Sequence, residues 1–174
     1  LFEVTDGIYQ VRNLDLSNMT IIEGTDGVTV VDPLISAETA KVGMDLYYQH
    51  RGQKPVKAVI YTHSHVDHFG GVKGITSDAE VAAGDVVVLA PQGFLGHAVA
   101  ENVYAGTAMT RRAMYMYGRA LEPGPAGHVG CGLGQHPSSG TVSLIAPTLD
   151  ITHTGQIEVL DGVTIEFQLT PGTE

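Results

Sequence analysis

Between Tyr61 and Gly71 the sequence reads YTHSHVDHFGG, which puts His63, His65, Asp67 and His68 within six residues. Imidazole nitrogen and carboxylate oxygen are donors that hold zinc, at about 2.0–2.2 Å. In the spacing His-x-His-x-Asp-His they fall into two short-range pairs, His63 with His65 and Asp67 with His68, that point to different sides of a turn. Such pairs suit two adjacent metals better than one. Two metals about 3.5–4 Å apart share a nucleophile derived from water, bring its pKa toward neutrality and offset charge on an ester being broken. The chemistry in view is therefore hydrolysis. The bland alternative is a polar turn with surface histidines, and four ligand-type residues in six positions at a strand end disfavour it. Gly70 and Gly71 follow, where a backbone without side chains passes close to a metal and opens the next helix.

The elements that would carry these residues are legible around them. Lys57-Ala58-Val59-Ile60-Tyr61, apolar after its lysine and bounded by Pro55, predicts a short buried strand with the histidines at its C-terminal end. Upstream, the pattern is strand-like from residue 1. Ile8–Arg12, Met19–Glu23 and Val28–Val31 read as strands, with Gly24-Thr25-Asp26-Gly27 as a turn in a meander. Asp32-Pro33 closes the meander. Ser36 caps a predicted helix with an apolar face through Val42, Leu46 and Tyr47, ending near Arg51-Gly52.

Downstream comes a unit of similar plan. Ser77–Gly84 predicts a short helix, Val86–Ala90 a buried strand, and the stretch from about Gly93 to Tyr117 is helical in pattern. Strands alternating with helices indicate an α/β layer arrangement. Leu121 to Gly140 is rich in Gly and Pro and reads as a surface loop. Thr141–Ile145, Gln156–Leu160 and Val163–Leu169 read as strands, the last two joined at Asp161-Gly162 as a hairpin. No internal repeat or linker marks a second domain.

Composition narrows the partners. The chain has 174 residues, 43% of them hydrophobic, enough for one core, and its formal charge of −10 disfavours nucleic acid, which is bound through clustered cations. Cys131 is the only cysteine, so an intrachain disulfide and a cysteine-based zinc site are both excluded. No apolar run approaches the roughly 18 residues of a membrane span, and the start LFEVTDGIYQ has no signal-peptide pattern. The absence of an initial Met suggests processing or trimming.

The motif His63–His68, with Asp32 ending an earlier strand and Thr170-Pro171-Gly172 near the end, resembles the metallo-β-lactamase fold superfamily. More narrowly, Asn18–Gly24, Tyr61–Gly71, Glu101–Gly106 and Leu169–Glu174 resemble the zinc-dependent alkyl sulfatases that hydrolyse dodecyl sulfate and similar surfactants. The resemblance implies an αββα sandwich, of which residues 1–174 are the N-terminal portion. Most of the superfamily has histidine after the later Pro-Gly. Here the sequence reads Pro-Gly-Thr-Glu, as alkyl sulfatases do, and by that match Glu174 joins His63 and His65 on the first zinc. Asp67 and His68 go to the second zinc, Asp67 carries catalysis, and Asp32 lies beneath the site holding the motif loop.

By the same resemblance the family continues beyond residue 174. It adds a bridging glutamate, a further histidine, sulfate-binding residues, a helical dimerisation domain and a lipid-carrier-like domain. The intact enzyme would be a homodimer with two Zn2+ per active site and an alkyl sulfate as substrate, in a bacterial periplasm or secreted. Residues 1–174 alone are expected to hold at most one zinc tightly and to self-associate through exposed sheet. Rival readings are a thioesterase of the glyoxalase II type and a catalytically incompetent metal-binding fragment.

The other histidines attract no chemistry from their spacing. His97, His128, His136 and His153 read as surface or structural, His50 offsets a helix dipole, and Cys131 is inert. Met109–Tyr117 either lines an alkyl-chain tunnel or packs on the sheet.

Overall fold

The computed structural model describes residues 1–132 and 136–172. Four antiparallel strands come first, each paired with the next: β1 (Phe2–Thr5), β2 (Ile8–Val11), β3 (Met19–Glu23) and β4 (Val28–Val31). The last three match the predicted runs, and β1 is an additional exposed edge strand. From β4 onward the pairing changes. β5 (Val56–Ile60), β6 (Val87–Pro91) and β7 (Leu149–Ile151) add in sequence order, and every pairing from β4 to β7 is parallel. Parallel neighbours need crossovers. These are α1 (Ala37–Arg51), α2 (Asp78–Ala83), and α3 (Phe94–Val99) with α4 (Gly106–Tyr117).

Local chemistry sets the helix ends. The Ser36 hydroxyl accepts from Thr39 N–H at the start of α1, and Ser77 with Glu80 forms a reciprocal capping box on α2. The stripe that α1 buries is Ala40, Gly43, Met44 and Tyr47. Tyr47 and Leu46 pack on the core as expected, but Val42 is 55% exposed. It stands two residues, or about 200° of helical rotation, from Met44, so it faces water when Met44 faces the sheet.

The strand pleat divides the core in two. Val59, Val88 and Ala90 point to the α1 side, while Ala58, Ile60 and Leu89 point to the other. That second face is covered by a hairpin, β8 (Gln156–Leu160) and β9 (Val163–Phe167), which supplies Leu160, Ile165 and Phe167. Its turn has positive φ at Asp161 (48°) and Gly162 (83°), the backbone of a two-residue primed turn. The Asp161 carboxylate accepts from Asp26 N–H (3.0 Å) and Gly27 N–H (2.7 Å), tying the hairpin to the β3–β4 turn. The layers are helices, sheet and hairpin, the α/β arrangement that the alternation of elements indicated.

Three expectations need correction. Thr141–Ile145 forms no strand. Thr141 O instead accepts from Ala37 N–H (2.9 Å), Ser143 N–H donates to Gly70 O (2.7 Å), and Ile145 is buried. The segment lies across the start of α1 and the motif loop, which consume the hydrogen bonds a strand would need. The helical stretch from 93 to 117 is interrupted by a π turn at Ala100–Tyr104, and no residue of α4 is buried. Met109–Tyr117 therefore does not pack on the sheet. Its patterned residues Met114, Tyr115 and Met116 are exposed. Finally, Gly70 and Gly71 approach backbone. A Cβ on Gly71 would stand 2.0 Å from Pro33 O, and one on Gly70 would stand 2.2 Å from Ile35 O. The glycines let the motif loop press against the β4–α1 connection, and a 3-10 turn at Val72–Gly74 follows rather than a longer helix.

Candidate functional site

Parallel strands end together, and the residues just past β4 and β5 face one another there. Asp32 N–H still donates to Ile60 O (2.9 Å), extending the ladder by one residue. Its backbone then turns to φ 57°, a left-handed conformation that Asp tolerates better than most residues, and Leu34 does the same at 63°. Such backbone strain, about 1–3 kcal/mol per residue, persists where surroundings enforce it. Here it directs the Asp32 carboxylate into the motif loop. Oδ1 accepts from Thr62 N–H (2.9 Å), while Oδ2 accepts from the Thr62 hydroxyl (2.8 Å) and from His68 Nδ1–H (2.8 Å).

The loop itself is anchored at both ends. Tyr61 before it and Phe69 after it both pack on Phe94, at ring-centroid distances of 5.0 and 5.5 Å, and the Tyr61 hydroxyl donates to Ile145 O (3.2 Å). Between them a 3-10 turn at Val66–His68 closes with His68 N–H on His65 O (3.0 Å). The buried Ser17 donates its hydroxyl to Asp67 O.

The four motif side chains come together as two pairs. His63 Nε2 and His65 Nδ1 are 3.1 Å apart, and His68 Nε2 and Asp67 Oδ2 are 3.2 Å apart. The His63 and His68 rings lie 4.0 Å apart between centroids, which joins the pairs. Two donors on one tetrahedral zinc, each at about 2.0–2.1 Å, stand about 3.3 Å from each other. Each pair thus has the separation of one edge of a zinc tetrahedron. Among the described residues no three His, Cys, Asp or Glu side chains meet as a metal-holding group. Glu174, the expected third donor on the first ion, lies outside the described residues.

Proton placement differs between the two pairs. Since the Thr62 hydroxyl donates to Asp32, its oxygen is left to accept from His63 Nδ1–H (2.9 Å), and His63 Nε2 carries the lone pair. His68 gives Nδ1–H to Asp32, so its Nε2 faces the Asp67 carboxylate. Burial alone would lower the His68 pKa, but Asp32 and then Asp67 outweigh it and push the pKa up to about 10. Burial would likewise raise Asp67, and the bond with His68 overrides it, holding the carboxyl below its ordinary value. His68 therefore shares its Nε2 proton with Asp67, and a metal held by that pair would displace the proton; imidazole and carboxylate are donors that zinc takes.

Sequence reasoning left Glu101 without a role, although the residue begins one of the segments that carry the resemblance. Its carboxylate lies 3.3 Å from His65 Nε2. Thr62 and Ser17 were also missed, because neither is a ligand type: folding brings Ser17 to Asp67 and gives Thr62, the neighbour of His63, its bonds to Asp32. His97 is an exposed residue of α3 beside a cavity, and His50 sits in the last turn of α1, both as expected. His128 and His136 pack together with centroids 5.3 Å apart.

The motif loop opens on that cavity, about 1000 Å3 in volume, between the sheet and the β8–β9 hairpin. His63 and His65 are among the residues that line it, with Val31, Ile60, Ile151, Ile165 and Phe167 supplying apolar wall.

Comparison with known proteins agrees with these features. A sequence profile of the metallo-beta-lactamase superfamily matches residues 12–164. A linear primary-alkylsulfatase of Pseudomonas sp. is 66% identical over all 174 residues, and the alkyl/aryl-sulfatase BDS1 of Saccharomyces cerevisiae is 54% identical over the same span. The structure superimposes on the stereoselective inverting sec-alkylsulfatase Pisa1 from Pseudomonas sp. with a TM-score of 0.92 at 49% identity, covering 97% of this chain and 27% of that one. The chain spans 26% and 27% of the length of the two curated relatives, about a quarter of each.

Proposed function

Because the chain belongs to the metallo-beta-lactamase superfamily, we propose that it is the N-terminal portion of an alkylsulfatase catalytic domain, which hydrolyses esters such as dodecyl sulfate to alcohol and sulfate. The observation that carries this reading is a zinc-spaced donor pair, His63 and His65, lining a cavity with an apolar wall, with the second pair, Asp67 and His68, beside it through the His63–His68 ring contact. Its support in sequence is the end-to-end similarity to alkylsulfatases.

In this reading His63, His65 and Glu174 hold one zinc, and Asp67 and His68 share in holding a second. Zinc at such a site supplies Lewis acidity, acidifying water and offsetting the negative charge of sulfate. The chain's own residues do the rest. Asp32 fixes the His68 ring directly and the His63 ring through Thr62, so their donor nitrogens are aimed before any ion arrives. The wall formed by Ile60, Ile165 and Phe167 receives the alkyl chain, where each buried methylene contributes about 0.8 kcal/mol. A homodimer is the proposed assembly.

The test uses the full-length protein with dodecyl sulfate and, separately, S-lactoylglutathione. Sulfate release that a chelator abolishes and zinc restores is the expected result. Turnover of the thioester with dodecyl sulfate untouched would assign the protein to the thioesterases instead.

A further inference from the structure

We infer that Glu101 is the residue that positions His65, setting which of its ring nitrogens carries the proton. This rests on the reading that His63 and His65 hold a metal. Two observations lead to it. The first is contact: Glu101 Oε1 lies 3.3 Å from His65 Nε2, and its side chain is only 21% exposed. A carboxylate accepts and does not donate, so its charge beside Nε2 favours the tautomer of His65 with the proton on Nε2 and the lone pair on Nδ1, the atom 3.1 Å from His63 Nε2. The second is backbone: Glu101 belongs to the π turn Ala100–Tyr104, closed by Ala105 N–H on Ala100 O (2.9 Å). π turns interrupt α-helices most often at functional positions.

The wide turn directs Glu101 and its neighbour Asn102 at the same loop. Glu101 Oε2 receives the Ser64 hydroxyl (3.5 Å). Asn102 Nδ2 reaches Ser64 O (3.5 Å) while bonding back to Ala98 O (2.9 Å). Glu101 thereby does for His65 what Asp32 does for His68. Each imidazole in the motif has its non-ligand nitrogen assigned: Nδ1 of His63 to Thr62, Nε2 of His65 to Glu101, and Nδ1 of His68 to Asp32. A partner on the far nitrogen fixes the tautomer and ring orientation and raises ligand basicity.

Zinc affinity of the metal-depleted full-length protein, measured by competition with a chromophoric chelator, tests the assignment without recourse to turnover. Glu101→Ala should weaken zinc binding about 10–100-fold, and Glu101→Gln, whose amide oxygen still accepts from Nε2–H, should recover part of that loss. His63→Ala is the control on the underlying reading. If His63→Ala lowers affinity and Glu101→Ala does not, Glu101 is no positioning residue. If Ala and Gln at position 101 weaken binding equally, the proton assignment is wrong. If His63→Ala itself has no effect, the metal reading fails and this inference falls with it.

Discussion

Asp32 Oδ2 and His68 Nδ1 are 2.8 Å apart across a separation of 36 residues, so the end of β4 reaches directly into the loop that leaves β5. The same carboxylate also holds the Thr62 amide and hydroxyl. Asp32→Ala would strip an acceptor from three donors at once, two of them at the base of the loop. We expect zinc affinity of the full-length protein to fall about 10–100-fold, and less in Asp32→Asn, which retains one acceptor oxygen. Chelator competition reads both, and an unchanged affinity in Asp32→Ala would remove Asp32 from the site.

Asp67 should act on the rate. A carboxylate that holds an ion against charge developing in the transition state affects turnover more than ground-state binding. In the full-length protein Asp67→Ala should lower kcat for alkyl sulfate by far more than it raises KM. A change confined to KM would make Asp67 a residue that merely positions substrate.

Zinc content of residues 1–174 taken alone follows from donor number. The motif offers pairs, and zinc takes about four ligands. We expect at most one tightly held zinc per chain, with Glu174 as third donor. The outer face of the hairpin exposes Ile157 (57%) and Val159 (66%), which favours self-association. Elemental analysis with light scattering checks both. A monodisperse monomer with two tightly bound zinc ions, active on dodecyl sulfate, would refute the expectation.

Acid stability should depend on Glu23, at the end of β3. Arg51 first, then Tyr47 and Lys54, hydrogen-bond its carboxylate and hold the pKa at about 2, against the burial that would raise it. A carboxyl whose pKa is depressed on folding adds stability above its unfolded pKa, 4.5, and loses it as pH falls toward about 2. Urea midpoints measured from pH 5.5 down to about 2.5 should therefore fall less steeply for Glu23→Gln than for the unaltered chain. Parallel curves would show that the cluster adds nothing to acid sensitivity. At neutral pH the same substitution should cost about 1.5–3 kcal/mol, typical of a hydrogen bond to a charged group.

Donor identity and spacing, the buried β5 segment, the Ser36 cap and the Asp161-Gly162 turn are all legible in the sequence, because each is decided by residues that are neighbours in the chain. The α/β arrangement could be anticipated for the same reason, from apolar runs alternating with helical periods. Side-chain direction could not. Val42 belongs to an apolar pattern and faces water, and Thr141–Ile145 has strand chemistry without a strand, since α1 and Gly70 take its hydrogen bonds. Glu101 had no signal of function in its spacing, because 36 residues and a π turn separate it from His65. Only the tertiary structure brings that carboxylate and Asp32 against the motif, Asp32 also fixing the hydroxyl of Thr62 beside His63, and so decides which nitrogen of each ring is presented. Proton placement depends on what lies within hydrogen-bonding distance, and that distance is created when the strands align.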